Sequence, residues 1–384
     1  MDNIAGSKSS LSWVVQISVI ALVVLWLFPT VGLFVSSFRT ADQITGSGWW
    51  QSLFPTEQNA THRATDPDDD GVQQLIDGKY VIDGNIYGQD SSAQITAWGI
   101  SSRDVKAYAP GETATFGDGE TMTVQSNGDY RWTGTEKLSG RGQRIFVTAT
   151  SAPEFTASNY GTVLTGGASS GGMTRAFFNT LTVTIPATII PIVVAAFAAY
   201  ALAWMDFPGR AILIAMIVGL LVVPLQLALI PLLRLHLEIG IGKGYLGTWL
   251  AHTGFGLPLA IYLLRNYMVG LPKDIIENAK VDGATDFQIF TKIILPLSFP
   301  ALASFAIFQF LWTWNDLLVA KVFLIDATGQ TTVMTQQIVE LLGTRGGNWE
   351  ILSTAAFVSI AVPLLVFFMM QKYLVRGLLA GSVK

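Results

Sequence analysis

The sequence predicts an all-α polytopic membrane protein with six transmembrane helices, interrupted by an extracytoplasmic domain of mainly β structure. Three observations carry that expectation. The chain is 51% apolar and only 13% charged, with a mean hydropathy of +0.46, a balance that belongs to membrane proteins. Six apolar runs are long enough to cross a hydrocarbon core, since ~30 Å takes about 20 helical residues. One long polar stretch, residues 41–174, breaks the series and holds 16 Asp and Glu against 8 Lys and Arg.

The first run, residues 11–35, is too long for the core of a secretory signal, and no A-x-A cleavage pattern follows it. With its short tail it makes an N-terminal segment, residues 1–39. Residues 40–174 read as the β domain. Val-, Ile-, Thr- and aromatic-rich runs at 80–82, 121–125 and 144–148 are punctuated by Asp77-Gly78, Asp83-Gly84, Asp118-Gly119 and Asn127-Gly128, pairs that favour hairpin turns. The stretch T-M-T-V-Q-S-N-G-D-Y-R-W-T reads as one hairpin about Asn127-Gly128. The Gly/Ser-rich residues 166–172 read as a flexible return linker. Residues 175–384 then hold the other five runs, at 177–205, 211–235, 246–268, 299–325 and 351–375. Prolines interrupt several of them, which membrane helices tolerate where neighbours satisfy the freed carbonyl.

Lys and Arg in the short loops orient the chain. With both termini inside, the inner side carries Lys8, Arg210, Arg265, Lys273, Lys280, Lys292, Lys372, Arg376 and Lys384. The outer short loops keep Lys243 and Arg345. The long acidic insert then lies outside. The chain has no cysteine, which excludes disulfides and thiolate metal sites.

The polar stretch 272–297 lies between two apolar runs and must sit at the membrane surface. Pro272 suits the opening of a short helix, and Gly283 its end. Thr285 with Gln288 makes a capping box for the next helix. Ala279 and Gly283 leave a small, approachable face, and Glu277 projects from an exposed turn where it can pair with a basic group on a partner. Residues 277–296 read E-N-A-K-V-D-G-A-T-D-F-Q-I-F-T-K-I-I-L-P. Glu277, Ala279, Gly283, Ile293, Leu295 and Pro296 match E-A-A, three residues, G, nine residues, I-x-L-P, with Asn278 in place of the middle Ala. This resembles the signature of ABC importer permeases. The resemblance implies that the stretch, Asn278 and Asp282 included, is the coupling helix gripped by a cytoplasmic ATPase dimer. ATP and magnesium would then be bound by that partner, and this chain would hold no cofactor and be no enzyme. The absence of G-x-x-x-x-G-K-[ST] agrees.

The resemblance extends to the second permease subunit of maltose-type carbohydrate importers. It rests on F-F-N-T-L at 177–181, A-A-Y-A-L-A at 198–203, F-P-G-R at 207–210, V-P-L-Q at 223–226, W-N-D at 314–316 and the tail V-R-G-L-L-A-G-S-V-K at 375–384. The acidic insert, with F-G-D-G-E-T at 116–121 and R-G-Q-R at 141–144, is similar to the alpha-glucoside branch. A multi-pass protein of a bacterial inner membrane is implied. Its implied partners are a second permease subunit, an extracytoplasmic binding protein touching residues 326–350, and ATPase subunits reached by the tail. No nucleic-acid partner is implied. An importer of peptides or amino acids, and a membrane-anchored receptor with a β sensor domain, stay open as alternatives. The tail and W-N-D favour sugar, and the coupling signature would have no purpose in a receptor.

Trp312, Trp314, Asn315 and Asp316 crowd the fifth run. Aromatic faces beside hydrogen-bonding groups suit a sugar, and polar groups within a membrane usually face inward. Helix packing is the competing explanation. Gln226 and Gln309 are similar candidates. In the insert, D-P-D-D-D-G-V-Q-Q-L-I-D places Asp66, Asp68, Asp70, Val72 and Asp77 at the ligand positions of a calcium loop, with Gly71 at the turn. A solvated acidic turn is the alternative. G-K-G-Y-L-G at 242–247 follows no strand, so dinucleotide binding is not expected. His62, His236 and His252 lack metal-ligand spacing.

Overall fold

The computed structural model describes residues 10–88, 94–117, 119–165, 172–341 and 347–379. By packing, the chain forms two compact units. Met1–Asn159 with Asn348–Thr354 is one, and Tyr160–Gly347 with Ala355–Lys384 is the other.

The first unit opens with helix α1 (Ser10–Ser36), apolar over nearly its whole circumference. A short helix α2 (Ala41–Gly46) and a 3₁₀ turn (Trp49–Gln51) follow. Trp49 folds back on Phe28, with ring centroids 4.6 Å apart. It crosses Gly32, where a Cβ would meet the indole at 2.6 Å. Such aromatic clusters mark the ends of membrane spans. The buried Arg39 guanidinium donates to Gln43 O at 2.6 Å, Ser47 O at 3.0 Å and Ser47 Oγ at 2.6 Å. Asn159 Nδ2 donates to Ser37 O and Arg39 O at 3.0 and 2.9 Å. The two chain segments that enter and leave the β region are thereby stitched together.

The β region forms two antiparallel sheets. Strands β1 (Thr56–Arg63), β8 (Arg144–Ser151) and β4 (Gln94–Gly99) make one, in that order. The other runs β2 (Gln74–Ile76), β3 (Lys79–Asn85), β7 (Asp129–Gly134), β6 (Glu120–Val124), β5 (Thr113–Phe116). Alternation drives both. Tyr130 and Trp132 of β7 point inward with Met122 and Val124 of β6, and meet Trp98, Ile145 and Val147 in one core. The expected hairpin pairs Thr121 with Thr133 and Val124 with Tyr130. Its turn uses Gly128 at φ +91° as the left-handed residue. Asp77 and Gly78 both take positive φ, 49° and 76°, as a type I′ turn requires. Asp83-Gly84 is not a turn. It lies within β3, because Gly84 sits against the Tyr130 hydroxyl, 2.5 Å from where a Cβ would stand. Asp118 falls outside the described residues, as do 166–171 of the expected linker.

The second unit begins with α3 (Ser158–Thr165) and α4 (Gly172–Trp204). Next come α5 (Arg210–Leu220), α6 (Leu225–Glu238) and α7 (Tyr245–Val269). The polar segment holds α8 (Lys273–Val281), α9 (Asp286–Ile289), a π turn (Phe290–Ile294) and α10 (Leu295–Leu297). Helices α11 (Phe299–Trp314), α12 (Leu318–Phe323), α13 (Met334–Leu341) and, from Ala355 onward, α14 (Trp349–Leu379) complete it.

Six unbroken spans are not what is found. Among the described residues three helices, α1, α4 and α14, are long and apolar enough to cross a membrane, and up to five spans result if each bent pair counts as one. The third expected span is α5 and α6, bent by 110°. Pro224 stops the helix, since it lacks an N–H and disfavours helical backbone at Val223. The fifth run does not continue to 325. Helix α11 ends at Trp314 and is bent by 69° from the segment Asp286–Leu297. Helix α7 has the length, 25 residues, but Thr248, His252, Thr253, Arg265 and Asn266 dilute its apolar character.

Prolines inside the helices set the packing. A proline removes the N–H that would bond the carbonyl four residues earlier. Pro186 frees Thr182 O, and the Trp249 indole N–H of α7 takes it at 2.9 Å. Pro191 frees Ala187 O, and the Gln309 amide of α11 takes it at 3.1 Å. Pro363 frees Ser359 O, and the Trp314 indole of α11 takes it at 3.1 Å. Each pair is a cross-helix hydrogen bond that only a broken ladder makes available.

Trp314→Phe should lower stability by about 1–3 kcal/mol, the cost of leaving a buried carbonyl unpaired. In a Pro363→Ala background, where the helix supplies its own N–H, the loss should be much smaller. Thermal unfolding of the four proteins in detergent measures that difference.

Candidate functional site

The polar segment from Pro272 to Leu297 is built as its local chemistry dictates. Gly283 takes φ +81°. Ala284 N donates to Ala279 O and Gly283 N to Lys280 O, both at 3.0 Å, the paired bonds of a glycine-terminated helix. Thr285 Oγ1 accepts from Gln288 N at 3.3 Å, and Gln288 Oε1 accepts from Thr285 N at 2.9 Å. One face of the segment is anchored. Ile276, Ile289, Phe290 and Ile294 are buried against Ala195, Ala199 and Tyr200 of α4 and Leu264 and Met268 of α7. Ile293 and Leu295 pack on the rim of this cluster.

The other face is open. Glu277, Asn278, Asp282, Gly283 and Pro296 are exposed, and Ala279 is half-buried. Glu277 Oε1 accepts from Lys273 Nζ at 2.8 Å, a bond that raises the lysine pKa. This exposed pair is exchangeable for a basic group of a partner. Val281 is 86% exposed and Phe287 65%. Two large apolar side chains are thus exposed on the same polar segment as Glu277. The sequence signal is an apolar residue flanked by polar ones, Val281 between Lys280 and Asp282 and Phe287 between Asp286 and Gln288.

The polar residues of the fifth run separate. Trp314 is buried, stacked 5.6 Å from Phe310 and edge-on to Phe177, and its N–H is committed to Ser359. Gln309 is buried, bonded to Ala187 O and, at 3.4 Å, to His252 O. Asn315 caps α11 through Leu311 O at 2.9 Å. Asp316 Oδ2 accepts from Ala320 N at 3.1 Å at the start of α12 and lies 3.8 Å from His252 Nε2. These four serve the bundle itself. Trp312 is different. It is 46% exposed and, with Gln226, lines a cavity of about 780 Å³ between the α5–α6 bend, α7 and α11.

The calcium expectation is corrected. Asp66, Asp68, Asp70 and Asp77 do not converge, and no group of three acidic or histidine side chains that could hold a metal ion occurs among the described residues. Asp68 Oδ2 accepts from Gly140 N at 3.0 Å and Asp66 Oδ1 from Asp68 N at 3.3 Å. Val72 packs on the β core, and Asp77 belongs to the turn after β2. Gln73, bonded to Pro67 O and Leu138 O, ties the loop flat against residues 138–140.

The family described as binding-protein-dependent transport system inner membrane component matches residues 161–379. The chain is 59% identical over 383 residues to the alpha-glucoside transport system permease protein AglG of Rhizobium meliloti, covering 98% of each. It is 58% identical over 231 residues to the osmoprotective compounds uptake permease protein GgtD of Synechocystis, covering 60% of this chain and 76% of that protein. It is 34% identical over 213 residues to the trehalose transport system permease protein SugB of Mycobacterium tuberculosis, covering 54% and 76% respectively.

Gly256 carries the close approach of α7 to α11, because a Cβ there would stand 2.7 Å from Gln309 Oε1. Gly256→Ala should therefore destabilise the bundle by about 1–3 kcal/mol. Gly254→Ala, with nothing within 4 Å, should leave it unchanged within about 0.5 kcal/mol. Unfolding temperatures of the two variants in detergent provide the comparison.

Proposed function

The chain belongs to the family of binding-protein-dependent transport system inner membrane components, and on that premise we propose that it is one of two membrane subunits of an ATP-driven carbohydrate importer. The likeness over 98% of its length to an alpha-glucoside permease carries the substrate class: sugars with an alpha-glucosidic bond. The chain is a transporter subunit and no enzyme. ATP and magnesium belong to a separate ATPase dimer, and the sugar is delivered by a binding protein outside the membrane. The setting is a bacterial inner membrane that the chain crosses several times. Both termini and α8 face the cytoplasm, and residues 41–174 face outside.

The mechanism follows from the segment between Pro272 and Leu297. An ATPase that moves on binding nucleotide needs a handle that does not deform. Helix α8 qualifies because Gly283 closes it, the capping box of Thr285 and Gln288 opens the helix that follows, and Ile276, with Ile289, Phe290 and Ile294 of the following turns, packs against α4 and α7. Its open face, with Glu277, Val281 and Phe287, meets the ATPase. Force applied there reaches α4 and α7 directly. The transported sugar moves along the side of the bundle that carries Trp312 and Gln226.

Gly283→Val should force a β-branched residue into positive φ, at a cost of about 1–3 kcal/mol, and loosen the handle. Glu277→Lys reverses the charge offered to the ATPase. Both variants should assemble with the partner subunit yet lose at least about tenfold of the binding-protein-stimulated ATP hydrolysis, a change equivalent to ~1.4 kcal/mol. Reconstituted vesicles supply the measurement, and wild-type stimulation would remove the coupling role.

Sidedness has its own test in a chain without cysteine. A cysteine introduced at Ser126 should react with an impermeant thiol reagent added outside. One introduced at Val281 should react only from the cytoplasmic side.

A further inference from the structure

Three of the carbonyls freed by helix prolines are answered by a side-chain N–H from a neighbouring helix, as described above. Pro258 inside α7 frees a fourth, Gly254 O, and no side-chain donor among the described residues takes it. Leu25 O and Leu227 O, freed by Pro29 and Pro231, also find no side-chain donor there. Gly254 differs from them in its surroundings. It lines the cavity of about 780 Å³, with Gln226, Phe255, Pro258 and Trp312. Because glycine has no side chain, the backbone is open there, with nothing within 4 Å of where a Cβ would stand.

The cavity has the size of a small-molecule site, roughly 300–1,000 Å³. Its wall offers three kinds of contact. The half-exposed Trp312 indole presents a flat aromatic surface, which suits the C–H face of a sugar ring. The Gln226 amide both donates and accepts hydrogen bonds. The Gly254 carbonyl is an acceptor without its helical donor, and such a group gains most from a hydroxyl. The 110° bend between α5 and α6 puts non-helical backbone at the same wall. Irregular backbone within a membrane bundle is tolerated where it lines a cavity.

We propose that Trp312, Gln226 and the Gly254 carbonyl form a pyranose subsite on this subunit's own wall of the transport path. Trp312 stacks on one sugar ring, Gly254 O accepts a hydroxyl proton, and Gln226 bonds a neighbouring hydroxyl. Pro258 is a positioning residue, since it is what keeps the carbonyl available. The subsite rests on the carbohydrate reading given above.

The full complex, with its partner subunits and binding protein, is reconstituted and arrested with vanadate after handover of radiolabelled maltose, sucrose or trehalose. The lifetime of retained label after dilution is then read. Trp312→Ala should shorten it about tenfold, with Trp312→Phe in between. Pro258→Ala, which returns an N–H to Gly254 O, and Gln226→Ala should shorten it several-fold. Co-purification of the partner subunits should be unchanged in all four, so that a general defect of the fold would be visible. Wild-type lifetimes in Trp312→Ala and Pro258→Ala overturn the subsite. Variants that lose assembly with unchanged lifetimes also overturn it, and make the cavity a seat for a lipid chain or a partner side chain. If wild type imports none of the three sugars, the carbohydrate reading fails and the subsite with it.

Discussion

The helical unit is held by a constraint that begins with proline. Each proline inside a helix leaves one carbonyl without its donor, and in an apolar surrounding that carbonyl must find another. Pro186, Pro191 and Pro363 commit α4 and α14 to receive Trp249, Gln309 and Trp314 from α7 and α11. The resulting bonds are directional and specific in register, whereas apolar contact alone distinguishes poorly between one helix pair and another in lipid. Gly256 belongs to the same arrangement. It admits the Gln309 side chain where any larger residue would hold α7 and α11 apart.

That bundle gives the surface segment something rigid to act on. Helix α8 is short, nine residues, and a helix of that length is marginal by itself. Its stability comes from its ends and its buried face. Gly283 closes one helix, Thr285 and Gln288 open the next, and four buried side chains fix both to α4 and α7. A segment fixed this way is stiff, because packed interiors resist deformation. The exposed Val281 and Phe287 carry the opposite cost, two apolar groups left in water unless a partner covers them.

The β unit follows a different logic. Alternating side chains feed one core shared by two sheets, and paired glycine turns set the registers. Its attachment to α1 depends on Arg39, a buried guanidinium that organises Gln43 and Ser47. In sequence Arg39 reads as an ordinary charge at the end of a span. Its burial becomes visible only when the chain is folded, with the returning segment held to the Arg39 carbonyl by Asn159.

What the sequence determined by itself was whatever depends on residues near one another in the chain. Apolar runs, the hairpin about Gly128, and the glycine and capping box around α8 are local, because a backbone turn or a helix end is decided within a few residues. The family signature at 277–296 is local as well. The tertiary structure alone decided what depends on distant partners. Trp314 and Gln309 carry the composition of a sugar site but are spent on carbonyls from α4 and α14. Trp312, two residues from Trp314, faces a cavity because a helix places those two positions on different sides. Asp83-Gly84 has turn chemistry yet lies inside a strand, because Tyr130 needs the space a side chain would fill. The acidic loop has the spacing of a cation site, but Gln73 and Gly140 hold its backbone in another shape. In each case the residue type was legible, and its use was fixed by a group that arrives from elsewhere in the fold.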